Sequence, residues 1–198
     1  MIDILIIDDC IDKNQQNVIE QTMLSNEFAW FFHDTANSSG EDLKKIKMPV
    51  IPKNAKDFFQ FTHNFYANKM ASNYFNLINP ILNSIPIKIK KIIRIKSNFR
   101  IYSKENEKYI GIPHTDYIDP PENQITGVYY VNESSGETII YNEKYGHLGE
   151  LTIRDKIKPK KGRLVLFNAG LFHSANTPKT NNNRLIINFN LIPIEEND

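Results

Sequence analysis

His114-Thr115-Asp116 sets an imidazole and a carboxylate two residues apart, which in an extended segment puts both on one face, within reach of a single ion. A triplet this short also arises by chance. A second histidine strengthens it, because the apolar stretch Leu164-Val165-Leu166-Phe167-Asn168-Ala169-Gly170-Leu171-Phe172 runs directly into His173. Two imidazoles and one carboxylate can hold one face of an octahedral iron(II), leaving positions open for a chelating ligand and for dioxygen. Zinc with the same donors stays open, since a ligand list alone does not select the metal. Arg184 follows His173 by eleven residues, beyond the turn-forming stretch 176–183, so a hairpin returns it beside that histidine. It heads the apolar run 185–191, where a charge is costly unless an anion meets it, and its planar fork suits a carboxylate. An isolated strand-end arginine ordinarily snorkels to solvent; the spacing to His173 reverses that preference. His33, His63 and His147 lack such neighbours and read as surface, core or loop residues.

These residues need a sheet to carry them. Ile87, Ile89, Ile93 and Ile95 alternate with Lys88, Lys90, Arg94 and Lys96, the period-two signature of a strand with one wet face. Further strands are predicted at Lys108–Pro113, Thr126–Asn132, Thr138–Tyr141, Leu151–Ile153, Arg163–Phe167 and Arg184–Ile192. Short strands joined by turns imply a sandwich or barrel. Ahead of them, the pattern predicts a strand at Ile2–Ile7, a helix from about Asp12 to Leu24 with Asp12 as N-cap, and a buried strand at Phe28–Phe32. A loop or lid over 34–54 follows. A longer helix is expected from Asp57 to Ile78, where Phe58, Phe61, Phe65, Ala71, Phe75 and Ile78 form an apolar stripe. With helices first and strands after, a doubly wound parallel sheet is disfavoured.

Composition limits the function classes. The 198 residues carry Lys+Arg 24 against Asp+Glu 23, so no global field draws the chain to nucleic acid or an anionic membrane. Any anion site must be local. Cys10 is the only cysteine, which excludes an internal disulfide and multi-cysteine metal sites and suits a reducing compartment. Neither a secretory leader nor a membrane-spanning run is legible, so a cytoplasmic location is expected.

From Ile92 to Ile192 the chain resembles the iron(II)- and 2-oxoglutarate-dependent oxygenases of the prolyl 4-hydroxylase-like group. The resemblance rests on order: Arg100-Ile101-Tyr102, then His114-Thr115-Asp116, Gly127-Val128-Tyr129-Tyr130-Val131-Asn132, Gly136-Glu137-Thr138, Lys160-Lys161-Gly162-Arg163, His173-Ser174 and Arg184. It implies an α+β, mainly β, fold: a double-stranded β-helix of the jelly-roll or cupin kind over 85–192, with a helical support region over 1–84, in a single domain 1–198. It implies His114, Asp116 and His173 as catalytic iron ligands and Arg184, Tyr130, Tyr102 and Thr138 as 2-oxoglutarate contacts. Fe(2+), 2-oxoglutarate and O2 are the implied cofactor and cosubstrates, with ascorbate as reductant. The implied reaction hydroxylates an unactivated C–H bond of a prolyl peptide, another protein side chain or a small molecule, releasing succinate and CO2. Asp116 argues against halogenation, whose practitioners lack that carboxylate. Asn190 stands where base-repair relatives carry a second arginine, which disfavours a nucleic-acid substrate, although Lys158, Lys160, Lys161 and Arg163 offer a local basic edge. Two alternatives remain at this level: an inactive metal-binding β-helix module, and a cupin-type metalloenzyme without 2-oxoglutarate.

Overall fold

The computed structural model describes residues 3–35, 48–179 and 183–194. Asp12 opens the first helix as expected, its side chain accepting the Gln15 N–H at 2.9 Å, and α1 runs Lys13–Met23 with Gln16, Ile19 and Met23 turned inward. Before it lies β1 (Leu5–Ile7) and after it β2 (Phe31–His33). The stripe expected to be a long helix over Asp57–Ile78 is instead a hairpin, β3 (Gln60–Ala67) and β4 (Met70–Ala71), followed by a 3-10 turn at Phe75–Ile78 and a short helix α2 (Asn79–Ser84). The reason is local. Asn68 and Lys69 both take positive φ, 52° and 63°, the conformation of a two-residue hairpin turn that no helix tolerates. On the arm before that turn, Phe61, His63 and Phe65 alternate with Gln60, Thr62 and Asn64, which is strand period. Among the described residues, the region 1–84 therefore holds two helices and four strands rather than helices alone.

Three other expectations shift. β2 begins later than Phe28 and is an exposed edge, Phe31 and Phe32 being 60% and 61% accessible. Lys108–Pro113 forms no strand; Ile110 makes only isolated bridges to Ala55 and Asn176. The Leu151–Ile153 strand starts where it was expected to end, as β8 (Ile153–Ile157). The loop 34–54 is described only at its ends, its interior 36–47 lying outside the described residues.

The remaining strands are β5 (Ile89–Arg100), β6 (Ile125–Tyr130), β7 (Thr138–Lys144), β9 (Leu164–Asn168), β10 (Leu171–Ala175) and β11 (Arg184–Pro193). They build an eight-stranded sheet in the order β1-β9-β6-β11-β5-β3-β2, with β4 paired to β3, and a three-stranded sheet β10-β7-β8. Every strand pairing is antiparallel. Alternation along the strands divides the core. Tyr129, Leu164, Leu166, Leu185, Ile187 and Phe189 point outward beneath Ile19, Met23, Ile78 and Ile81 of the helical layer. Val128, Tyr130, Val165, Phe167 and Ile186 point inward against Ile140, Ile157 and Leu171 of the smaller sheet. Each fully buried side chain of this kind contributes roughly 1.5–3 kcal/mol, so both faces of β6, β9 and β11 are committed to packing. The result is the expected double-stranded β-helix, with the helices bracing its larger sheet. No helix among the described residues is long and apolar enough to cross a membrane.

Candidate functional site

His114 follows an irregular segment, whereas His173 lies within β10; the two are locked by an antiparallel bridge, His114 N–H to His173 O at 3.0 Å and His173 N–H to His114 O at 2.9 Å. Their rings sit 4.7 Å apart between centroids. Each ring is oriented by its own chain: His114 Nδ1 donates to Ile112 O at 2.9 Å and His173 Nδ1 to Leu171 O at 3.2 Å. A carbonyl only accepts, so Nδ1 carries the proton and Nε2 keeps its lone pair. One donor atom from each of His114, Asp116 and His173 falls within 4.8 Å of the others. This donor set fits a divalent metal with an open face.

Asp116 is held by a network that sequence reading missed. Its Oδ1 accepts from Arg94 Nη2 at 3.1 Å, and its Oδ2 accepts from Asn190 Nδ2 at 2.8 Å and Thr126 Oγ1 at 3.3 Å. Arg94 Nε in turn donates to Asn190 Oδ1 at 3.1 Å. Burial opposes ionisation of Asp116, but His173, Arg94 and His114 outweigh it and hold the carboxyl well below the usual carboxylate range. Burial, aided by His173, pushes His114 down to about 4. Both groups are thus in their metal-binding protonation state at neutral pH. Asn190 is thus spent on Asp116 and Arg94.

The second constellation lies at the other end of the same inner face. Arg184 is 3% exposed; its Nε donates to Gly136 O and its Nη2 to Thr138 Oγ1, each at 2.8 Å. Tyr130 OH donates to Thr138 Oγ1 at 2.6 Å, and the guanidinium carbon stands 5.7 Å from the Tyr130 ring centre. Gly136 makes this possible, since a Cβ there would lie 2.7 Å from Asn176 O and 2.8 Å from Arg184 Cδ. Register ties the two constellations together. On the smaller sheet His173 pairs with Ile140 and Ala175 with Thr138, so Thr138 lies two residues, about 7 Å, along the strand from the His173 level and on the same face. Tyr102 does not join this cluster. Its hydroxyl donates to Glu107 Oε1 at 2.6 Å and its N–H to Asn183 Oδ1 at 3.1 Å.

Of the other histidines, His63 bonds Ala29 O and Ser72 Oγ, and His147 bonds Glu150 O. The proposed basic edge is largely neutralised, Lys160 and Arg163 pairing with Asp8 and Lys161 with Glu20. An open cleft of about 890 Å³, lined by Tyr66, Lys69, Lys91, Ile93 and Tyr117, runs along the start of β5. Its lining includes Tyr117, the neighbour of Asp116, with Arg94 stacked 5.2 Å from that ring.

Residues 98–192 match the model of the 2OG-Fe(II) oxygenase superfamily. No curated protein matches the sequence. Among solved structures, the chain is similar to a 2OG-Fe(II) oxygenase family oxidoreductase from Burkholderia pseudomallei, at 12% identity and a TM-score of 0.62, covering 96% of this chain and 84% of that one. It is similar to the non-heme alpha ketoglutarate dependent epimerase SnoN of nogalamycin biosynthesis, at 10% identity, TM-score 0.61 and coverage of 96% and 78%. A prolyl hydroxylase from Trichoplax adhaerens, in complex with a hypoxia inducible factor peptide, aligns at 13% identity, TM-score 0.57 and coverage of 96% and 83%. At such identities the likeness is one of fold.

Proposed function

We propose that this chain, whose residues 98–192 belong to the 2OG-Fe(II) oxygenase superfamily, is a 2-oxoglutarate-dependent hydroxylase of the prolyl 4-hydroxylase-like kind, acting as a single domain over 1–198. The observation that carries the reading is the coexistence on one inner face of the His114, Asp116, His173 donor set and the buried Arg184 with Tyr130 and Thr138. The two-residue separation along the strand suits a five-carbon dicarboxylate reaching from one to the other.

His114 and His173 would hold iron(II) through Nε2 and Asp116 through one carboxylate oxygen. When bound, that iron supplies dioxygen chemistry coupled to decarboxylation of 2-oxoglutarate, yielding succinate, CO2 and a hydroxylated substrate. The chain's own groups do the positioning. Arg184 meets the distal carboxylate with a charge-assisted pair of N–H donors, and burial strengthens the pairing by excluding water. Tyr130 and Thr138 orient that carboxylate by hydrogen bonds, and burial keeps the Tyr130 phenol protonated as a donor by raising its pKa. Arg94, Asn190 and Thr126 fix the Asp116 rotamer, so the ligand oxygen needs no reordering when metal arrives. Tyr102, engaged with Glu107, is proposed to reach the cosubstrate only if that bond is exchanged.

The test is succinate release. Purified chain with iron(II), 2-oxoglutarate and air should form succinate even without a substrate, through slow uncoupled turnover, and His114→Ala should abolish it. Succinate formation that is absent, or that survives His114→Ala, contradicts the reading.

A further inference from the structure

The register of β5 against β11 brings four cations to one face of two strands. Arg184 pairs with Arg100, Asn188 with Lys96 and Asn190 with Arg94, and residues directly opposite in an antiparallel pair point to the same side. Only two of the four have polar partners. Arg184 is bonded by Gly136 and Thr138, and Arg94 by Asp116 and Asn190. Lys96 has neither a hydrogen bond nor an ion pair among the described residues. Arg100 stacks on Phe58 at 5.8 Å and is favoured by the charge of Asp57, while its Nη1 is buried and unpartnered among the described residues. Between them and beside them, Asn98 Oδ1 and Asn188 Oδ1 are also buried without partners.

Three buried unpartnered polar atoms on one face, beside a partly buried lysine, are far from the usual condition of a protein interior, where such groups find partners. They are not remote from the chemistry. The charge environment of Lys96 is set by Arg94, Asp116 and Arg100, and Arg100 in turn acts on His114. In the reading above the cosubstrate carboxylates are assigned to the metal and to Arg184, which leaves these groups unassigned. A divalent metal would add positive charge beside Asp116, while Asp57 is the acid that favours the Arg100 charge. Buried cations are tolerated when an anion meets them.

We propose, resting on the oxygenase reading above, that Lys96 and Arg100, with Asn98 and Asn188, form a second oxyanion subsite on the β5 face that selects a hydroxylation substrate bearing a carboxylate or phosphate group. The cleft along the start of β5 is also cationic, Lys69 and Lys91 being among its lining residues. Burial, followed by Arg94 and Arg100 and opposed by Asp116, brings the Lys96 ammonium down to about 8, and Asn64 and Asn188, its neighbours across β3 and β11, carry no charge. Lys96 is therefore still cationic at neutral pH and is the member of the subsite that loses its charge first as pH rises.

The experiment is anaerobic calorimetric titration of the chain loaded with iron(II) and 2-oxoglutarate. The probes are N-acetyl-L-aspartate and O-phospho-L-serine, with N-acetyl-L-asparagine and L-serine as their uncharged-side-chain counterparts. The expected result is that at least one charged probe binds tenfold or more tighter than its counterpart, the better of the two identifying carboxylate or phosphate as the anion. Lys96→Met and Arg100→Met should each erase that advantage while leaving the 2-oxoglutarate Kd within twofold. Lys96→Met should also hold or raise the melting temperature, because it removes a partly desolvated charge that has no ion-pair partner among the described residues. Equal binding of charged and neutral probes, or none, overturns the proposal. So does a large loss of 2-oxoglutarate affinity in either variant, which would assign these cations to the cosubstrate. Failure of the wild-type chain to bind 2-oxoglutarate, with charged probes still preferred, defeats the oxygenase reading instead.

Discussion

The centre around Asp116 and the row along Lys96 and Arg100 occupy neighbouring positions on the same two strands, yet they are finished to different degrees. Both oxygens of Asp116 are bonded, and Arg94 and Asn190 also bond each other. Two residues further along β5 and β11, Asn188 Oδ1 has no partner, and beyond it Asn98 Oδ1 and Arg100 Nη1 have none. The difference teaches where rigidity is needed. A metal ligand must be aimed before the metal arrives, so its supporting bonds are built into the fold. A group that recognises a diffusing molecule must keep its hydrogen-bonding capacity unspent, and the fold bears that cost in stability.

This contrast can be broken in order of effect. The largest is Arg184→Ala, which removes a buried charge from the proposed carboxylate contact and should weaken 2-oxoglutarate by about 100-fold, ~3 kcal/mol, in equilibrium dialysis, with far-ultraviolet circular dichroism unchanged. Next, Arg94→Met should weaken iron(II) binding by about 10- to 100-fold, read by competition with a chromophoric chelator, because Asp116 loses its charged support. Asn190→Ala should do the same by about tenfold, and if either variant instead left metal affinity untouched, the network would be scaffolding only. The smallest effect concerns pH. The folded value of Lys96, about 8, lies below the ordinary 10.5, so between those values the unfolded chain binds the extra proton and stability rises with pH. Lys96→Met should lack that rise in urea titrations across pH 8 to 10.5, so wild type and variant should converge toward the alkaline end.

The legible parts of the site were those whose signal is local. His114 and Asp116 form a compact triplet and His173 follows a recognisable apolar run, while Tyr130 came from the order of motifs in the resemblance. Arg184 could be read from its spacing to His173. What escaped needed partners distant in sequence. Arg94 and Lys96 look like the wet half of an amphipathic strand, and only the register with Asn190 and Asn188 turns them inward to the site. Tyr102 fitted the resemblance by order, but the segment 103–113 lets its hydroxyl turn to Glu107. The fold shows the same division. The β6, β9 and β11 runs were evident from continuous hydrophobicity, whereas the aromatic spacing of 58–78 satisfies both a helical stripe and a strand pair. Two consecutive left-handed residues, Asn68 and Lys69, decide between them, and neither is glycine, the residue that would have announced the turn.

The central claim is that the histidine and aspartate set and the Arg184 cluster serve one metal-bound dicarboxylate. Anaerobic addition of iron(II) and then 2-oxoglutarate, followed by visible absorption, tests it most directly. The account expects a weak charge-transfer band that saturates at one equivalent of each, is lost in His173→Ala, and needs far more 2-oxoglutarate in Arg184→Ala. A wild-type spectrum that stays flat through both additions, or a band indifferent to Arg184, would contradict it.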